Sequence, residues 1–152
     1  MDHKEFILRL LAALFAGLVI GIEREWQNKP AGLRTNTLVA TGSALFVMLS
    51  VLITVTYGKI PDVTRIIGQV VTGIGFLGGG IIFKEGTDIH GLTTAATVWC
   101  SAAVGCLAGA GFFVETLIGV VAVVSVNLLL VPLDKWMEKR AKEGGGRLRK
   151  RE

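Results

Sequence analysis

The sequence predicts an all-α polytopic membrane protein with five transmembrane helices. Three observations point there. Of the 152 residues, 51% are hydrophobic and only 18% are charged, where a soluble domain averages about 25% charged residues. The apolar residues gather in long blocks matching the roughly 17–25 residues a helix needs to cross a bilayer. Most charges lie outside those blocks, with 12 of the 16 basic residues falling on one side of the resulting topology. The net charge of +4 is therefore a topology signal, and no nucleic-acid partner is expected.

Each span follows from its composition. Residues 6–22 form the first, with Arg9 near its start. Residues 33–56 form the second, with Arg34 at its edge. Residues 66–83 and Leu92–Ala110 carry no charge and form the third and fourth. Residues 112–131 form the fifth, with Glu115 in its first turn. A membrane barrel would need alternating segments of about ten residues, and these blocks do not alternate. The first block reads as an uncleaved helix rather than a signal peptide. Its start mixes Asp2, Lys4 and Glu5, and Glu23-Arg24-Glu25-Trp26 follows it.

Lys and Arg collect on the cytoplasmic side of membrane proteins. The segment after Val131 is rich in both, the 23–34 loop carries Arg24, Lys29 and Arg34, and Lys84 follows the third span. The opposite side carries Lys4, Arg9, Lys59 and Arg65. The expectation is a multi-pass protein of a cytoplasmic membrane, N-terminus out and C-terminus in. Trp26 and Trp136 then mark the inner interface and Tyr57 the outer one. The domain reading is a transmembrane unit over 1–133 and a basic cytoplasmic tail over 134–152. The fifth helix continues over 134–142, and Gly144, Gly145 and Gly146 break it. The tail serves as a topology signal or as a site of attraction to anionic lipid.

An internal repeat is also visible. Shifting the chain by 59 residues brings Gly21/Gly80, Ile22/Ile81, Gly32/Gly91, Leu33/Leu92 and Thr35/Thr94 into register. Two parallel hairpins plus a fifth helix would produce this, as would shared membrane composition.

Three groups of residues are candidates for function. Gly73, Gly75, Gly78, Gly79 and Gly80 crowd the third span. They either let helices pack closely, with Gly75 and Gly79 as the Gly-x-x-x-Gly pair, or break a helix beside a cavity. Gly17/Gly21 and Gly105/Gly109 have the same spacing. Polar side chains form the second group. Thr94, Thr97, Ser101 and Gly105 share one face of the fourth span, and Gln69, Thr72, Phe76 and Gly79 one face of the third. Such faces are interhelical hydrogen-bonding surfaces or the walls of a narrow polar path. The third group is the charged loops. Arg34 is placed to pair with Glu23 or Glu25 and pin the first hairpin, or to meet a partner. Glu85 and Asp88 alone make a weak cation site. Cys100 and Cys106 read as buried small hydrophobes. No nucleophile–base pair or metal cluster stands out in the sequence, so no cofactor or metal is expected and an enzyme is the least supported class.

These residues also carry a family resemblance. Gly21-Ile22-Glu23-Arg24-Glu25-Trp26, followed by Ala31-Gly32-Leu33-Arg34-Thr35-Asn36-Thr37, resembles the first signature of the MgtC/SapB membrane proteins. Arg65, Gln69-Val70-Val71 and the glycine run from Gly73 to Gly80 resemble the second. Gly91-Leu92-Thr93-Thr94-Ala95-Ala96-Thr97-Val98-Trp99-Cys100-Ser101 resembles the third, with Thr93 where that signature often has Asn. The resemblance implies a bacterial inner-membrane regulator linked to magnesium limitation, acid stress and survival inside host cells. It implies action through membrane partners such as the F-type ATP synthase, without catalysis. Relatives often add a soluble ACT-like C-terminal domain, and none is expected here.

The leading expectation is a regulator acting by helix contact. Glu23, Arg24, Glu25, Arg34 and Asn36 form its polar rim, and Thr93, Thr97, Cys100 and Ser101 line a helix-4 face. The alternative is a small transporter or channel with a path between the third and fourth helices, formed by one chain or within a homo-oligomer.

Overall fold

The computed structural model describes residues 1–57 and 62–148. Five helices follow one another: α1 (His3–Trp26), α2 (Leu33–Tyr57), α3 (Val63–Ile81), α4 (Leu92–Ala110) and α5 (Phe113–Leu148). A two-stranded antiparallel hairpin, β1 (Phe83–Glu85) and β2 (Asp88–His90), joins α3 to α4. The sequence reading treats that connection as a plain loop. Phe83 and His90 pair across the ladder and their rings stack at 5.3 Å.

Local chemistry sets the helix ends. The Asp2 carboxylate accepts from the His3 amide at 2.7 Å and caps α1. Asp62 caps α3 by accepting from the Arg65 amide at 3.0 Å. α4 stops at Gly111, whose φ of +88° is left-handed. The Gly111 and Phe112 amides turn back onto Ala108 and Leu107, a Schellman ending that lets α5 start at once.

Four helical segments are long and apolar enough to cross a membrane: His3–Trp26, Leu33–Tyr57, Leu92–Ala110 and Phe113–Leu133. α3 has the length but is not among these segments, since it carries the charged Arg65 and the polar Gln69. α5 runs without interruption to Leu148, past Pro132 and through Gly144, Gly145 and Gly146. The expected glycine break is therefore not formed. Lys59, Arg149, Lys150 and Arg151, used above for topology, lie outside the described residues.

The centre is an α1–α2–α4 packing unit with α5 laid on α1 and α4, and α3 on α4 and α2. Two core clusters sit in this unit: Ala13, Ala44, Met48 and Ala108 in one, and Ala16, Ile20, Val104 and Val120 in the other. Small residues allow the close approach. A Cβ on Gly17 would lie 2.6 Å from the Thr37 Cα, and one on Gly109 would lie 2.8 Å from the Ala44 Cα. Gly21 and Gly105 are equally tight against α2.

The glycine pair singled out in α3 behaves differently. A Cβ on Gly75 or Gly79 would meet nothing within 4 Å. They are not packing glycines within this chain, because α3 turns that side outward. Only Ile74 of α3 is buried, against Val98 and Ala102. Phe76 is 84% exposed, and Gln69, Thr72 and Gly79 are exposed with it. The predicted polar face of α3 thus points away from α4. The two hairpins of the proposed repeat also pack unequally. Gly17 and Gly21 seat α1 on α2, whereas Gly80, the counterpart of Gly21, faces open space.

Candidate functional site

The most connected polar cluster lies where α1 ends, and includes the α1–α2 loop and the N-terminus of α4. This is called the Arg24 end below. Trp26 and Trp136 belong to this end and are 81% and 51% exposed. Tyr57 belongs to the opposite end.

α1 brings three polar residues here in its last turn and at its C-cap, Glu23, Arg24 and Gln27. Glu23 is buried, and its carboxylate is fully engaged. One oxygen accepts from the Gln27 amide, and Oε2 accepts from Asn127 Nδ2 of α5 at 2.9 Å. The Gln27 amide also reaches the Asn127 carbonyl at 3.3 Å. Arg24 is 3% exposed. Its Nη2 donates to Thr94 Oγ1 of α4 at 2.7 Å and to the Pro30 carbonyl at 3.1 Å. Its Nε is buried with no hydrogen-bond partner. Among the described residues the ion pair found is Arg9–Glu5, near the opposite end, so Arg24 has no carboxylate within 4 Å.

α2 contributes Asn36, fully buried. Its Nδ2 donates to the Ala31 carbonyl and to the Gly32 carbonyl at 3.0 Å, holding the loop onto the helix. Its Oδ1 accepts from Ser101 Oγ of α4 at 2.8 Å. Thr97, one turn before Ser101, bonds back to the Thr93 carbonyl at 2.9 Å. α1, α2, α4 and α5 are therefore tied together by side chains that would otherwise be stranded in an apolar interior. In such a setting an unmet polar group is costly, so these bonds select one arrangement of the helices.

The predicted residues divide accordingly. Glu23, Arg24, Asn36, Thr97 and Ser101 enter the network. Glu25 stays exposed, with its Oε2 3.4 Å from the Leu33 amide. Arg34 is exposed, and the expected pin to Glu23 or Glu25 does not form because Glu23 turns inward to Gln27 and Asn127. Thr93 is exposed and Cys100 half-buried, and neither side chain enters the network. Two members were missed, Gln27 and Asn127. Asn127 had a signal: it is an amide within the fifth span, well away from the Glu115 of its first turn.

Beside the network lies a cavity of about 730 Å³. Arg24, Lys29, Thr93, Thr94 and Asn127 supply polar walls, and Ile81, Leu92, Val126 and Leu130 apolar ones. No carboxylate lines it. A second cavity of about 630 Å³ between α2 and α3 is almost wholly apolar, with Ser43 and Gln69 as its polar members. Among the described residues no group of three or more His, Cys, Asp or Glu is placed to hold a metal.

Comparison with known proteins identifies the family of the chain. The family model described as "MgtC family" matches residues 10–136. The chain is similar to an uncharacterized protein of Synechocystis sp., 52% identical over 137 residues, covering 90% of this chain and 57% of the relative. It is 49% identical over 136 residues to Protein MgtC of Brucella abortus, covering 90% and 56%. It is also 49% identical over 125 residues to Protein MgtC of Salmonella typhimurium, covering 82% and 52%. The chain thus spans about half the length of the curated relatives it matches. No solved structure matches it. A multi-pass helical membrane protein with these signatures belongs to the MgtC family.

Proposed function

We propose that this chain is a regulatory protein of the bacterial inner membrane that acts by helix contact with another membrane protein. The observation that carries this reading is the outward face of α3. Phe76 projects 84% exposed, and a Cβ on Gly73, Gly75, Gly79 or Gly80 would meet nothing within 4 Å. Glycine in a membrane helix lets a second backbone approach closely, and here no helix of the same chain uses that room. Glu25 and Arg34, exposed at the Arg24 end, extend the surface as a charged rim. The charge asymmetry supports an outer N-terminus and an inner C-terminus. The family resemblance supplies the rest of the proposal: a role under magnesium limitation, acid stress or intracellular survival, with the F-type ATP synthase as the partner to test first.

The transporter alternative is less well supported. It needs a path between α3 and α4, and there Ile74 packs directly on Val98 and Ala102.

The test is photocrosslinking in native membranes, with benzoylphenylalanine at position 76 and, as control, at the buried position of Val47. An adduct with an F-type ATP synthase subunit, formed from position 76 only and lost with Gly79→Leu or Arg34→Ala, is the expected result. Absence of any heterologous adduct, together with solute flux by the purified protein in sealed liposomes, would replace this reading with the transporter.

A further inference from the structure

The cavity at the Arg24 end has features that contact between helices does not need. α4 begins at its wall, and Gly91, Leu92, Thr93 and Thr94 all line it. The N-cap of α4 is Gly91, at φ +87°, and no side chain caps the first turn. The four first-turn amides of a helix lack intrahelical partners, and the helix dipole places partial positive charge there. Ser, Thr, Asp or Asn would supply a side-chain acceptor at such a position, and Gly91 supplies none. Gly91 is required for a different reason: a Cβ would run into the Ile81 carbonyl. The result is an uncapped helix N-terminus opening on a cavity.

Arg24 is the second, independent feature. It lines the same cavity and is 3% exposed, and its guanidinium is only partly used. Nη2 is bonded to Thr94 and Pro30, while Nε is buried without a partner and no carboxylate is within 4 Å. The adjacent Glu23 gives both its oxygens to Gln27 and Asn127. Lys29 adds a second cation at the rim and Thr93 an exposed hydroxyl. Burial strips Arg24 of water, and the neighbouring Glu23 carboxylate is not bonded to it but to Gln27 and Asn127, so a ligand anion would find a desolvated guanidinium with donor capacity to spare.

We propose that this cavity binds a phosphoryl oxyanion, held by the first-turn amides of α4, the Arg24 guanidinium and Lys29. Helix N-termini and arginine suit this chemistry because amides and guanidinium all donate to the same oxygens. Lys84 and Arg34 stand outside the cavity and are not part of the site. The opposite wall is apolar, with Ile81 from the end of α3 and Leu92, Val126 and Leu130 from the candidate spans of α4 and α5. That wall suits the glycerol and acyl portion of an anionic phospholipid, and the polar half alone suits free phosphate. The site goes beyond the partner reading above and does not depend on it.

The test uses the full chain purified in neutral detergent. Native mass spectrometry follows binding of phosphatidylglycerol against diacylglycerol, which has the same acyl and glycerol portion without the phosphoryl group, and calorimetry follows inorganic phosphate. Thr93→Asp places a carboxylate in the first turn of α4, where it occupies the anion site without removing packing. It is expected to weaken binding at least tenfold while leaving the melting temperature unchanged or higher. Lys29→Ala is expected to weaken it about fivefold, the factor equivalent to about 1 kcal/mol. Arg34→Ala, at the same end but outside the cavity, leaves binding unchanged. Tight phosphatidylglycerol with silent phosphate identifies a lipid-borne ligand, and the reverse identifies free phosphate; both support the site. Equal retention of both lipids with silent phosphate overturns it. So does binding that ignores Thr93→Asp, or that falls as much with Arg34→Ala as with Lys29→Ala.

Discussion

Gly109→Ala is the sharpest probe of this fold. The added methyl would lie 2.7 Å from the Ala44 carbonyl oxygen and 2.8 Å from its Cα. Ordinary contact begins near 3.4 Å, so α2 and α4 must part by about 0.6 Å. The neighbours are backbone atoms, which cannot swing aside as a long side chain would. Parting the helices loosens Ala40, Ala44 and Met48, all without exposed surface, and stretches the 2.8 Å Ser101–Asn36 bond. Overpacking of this kind costs about 1–3 kcal/mol, and a chain of this size loses about 2–4 °C of melting temperature per kcal/mol. Gly79→Ala is the matched control, since its methyl meets nothing within 4 Å and alanine favours the helix. Thermal unfolding in detergent, read by circular dichroism, should separate the two by several degrees. Ala44→Gly should not rescue Gly109→Ala, because the clash is with the Ala44 backbone rather than its methyl. Equal melting of Gly109→Ala and Gly79→Ala would refute the close α2–α4 approach.

Three further outcomes follow from the geometry. A double-mutant cycle on Asn36→Leu and Ser101→Ala should return a coupling of about 0.6 kcal/mol and no more than about 1.7; zero coupling would mean the two are not partners. The Asp62 carboxyl is held below its usual range by the Thr64 hydroxyl and the Arg65 amide. Its depressed value means that its contribution to capping α3 is complete above the ordinary carboxylate range and is lost as pH falls through the lowered value. Amide exchange at the start of α3 should therefore accelerate in acid, and Asp62→Ala should make it fast at every pH. Arg34→Ala should change stability by less than about 0.5 kcal/mol, since Arg34 is exposed and forms no ion pair, whereas Arg24→Leu should be far more costly because it strands Thr94 and the Pro30 carbonyl.

Much of the site was legible because the signals were local. Thr94, Thr97 and Ser101 recur at helical spacing, so their common face follows from 3.6 residues per turn. Arg24 and Glu23 stood out as charges at the edge of an apolar block. Their partners did not follow, because periodicity says which residues share a face and not which helix that face meets. Asn127 lies about a hundred residues from Glu23 in sequence, and only the seating of α5 on α1 makes them neighbours. The same limit explains the glycines. The Gly75/Gly79 and Gly105/Gly109 pairs have identical spacing, yet one faces open space and the other the backbone of α2.

The sequence by itself determined the membrane class, the helical architecture and the family. Hydrocarbon solvent leaves few ways to satisfy a backbone, so composition and block length suffice. Tertiary structure decided which glycines are contacts, that Arg34 stays free while Arg24 is buried, and that the start of α4 opens uncapped onto a cavity. Those outcomes depend on which helix lies beside which, and in a membrane the apolar surfaces of all the helices are nearly equivalent. The choice among neighbours then rests on a few small and polar residues whose partners are remote in the chain.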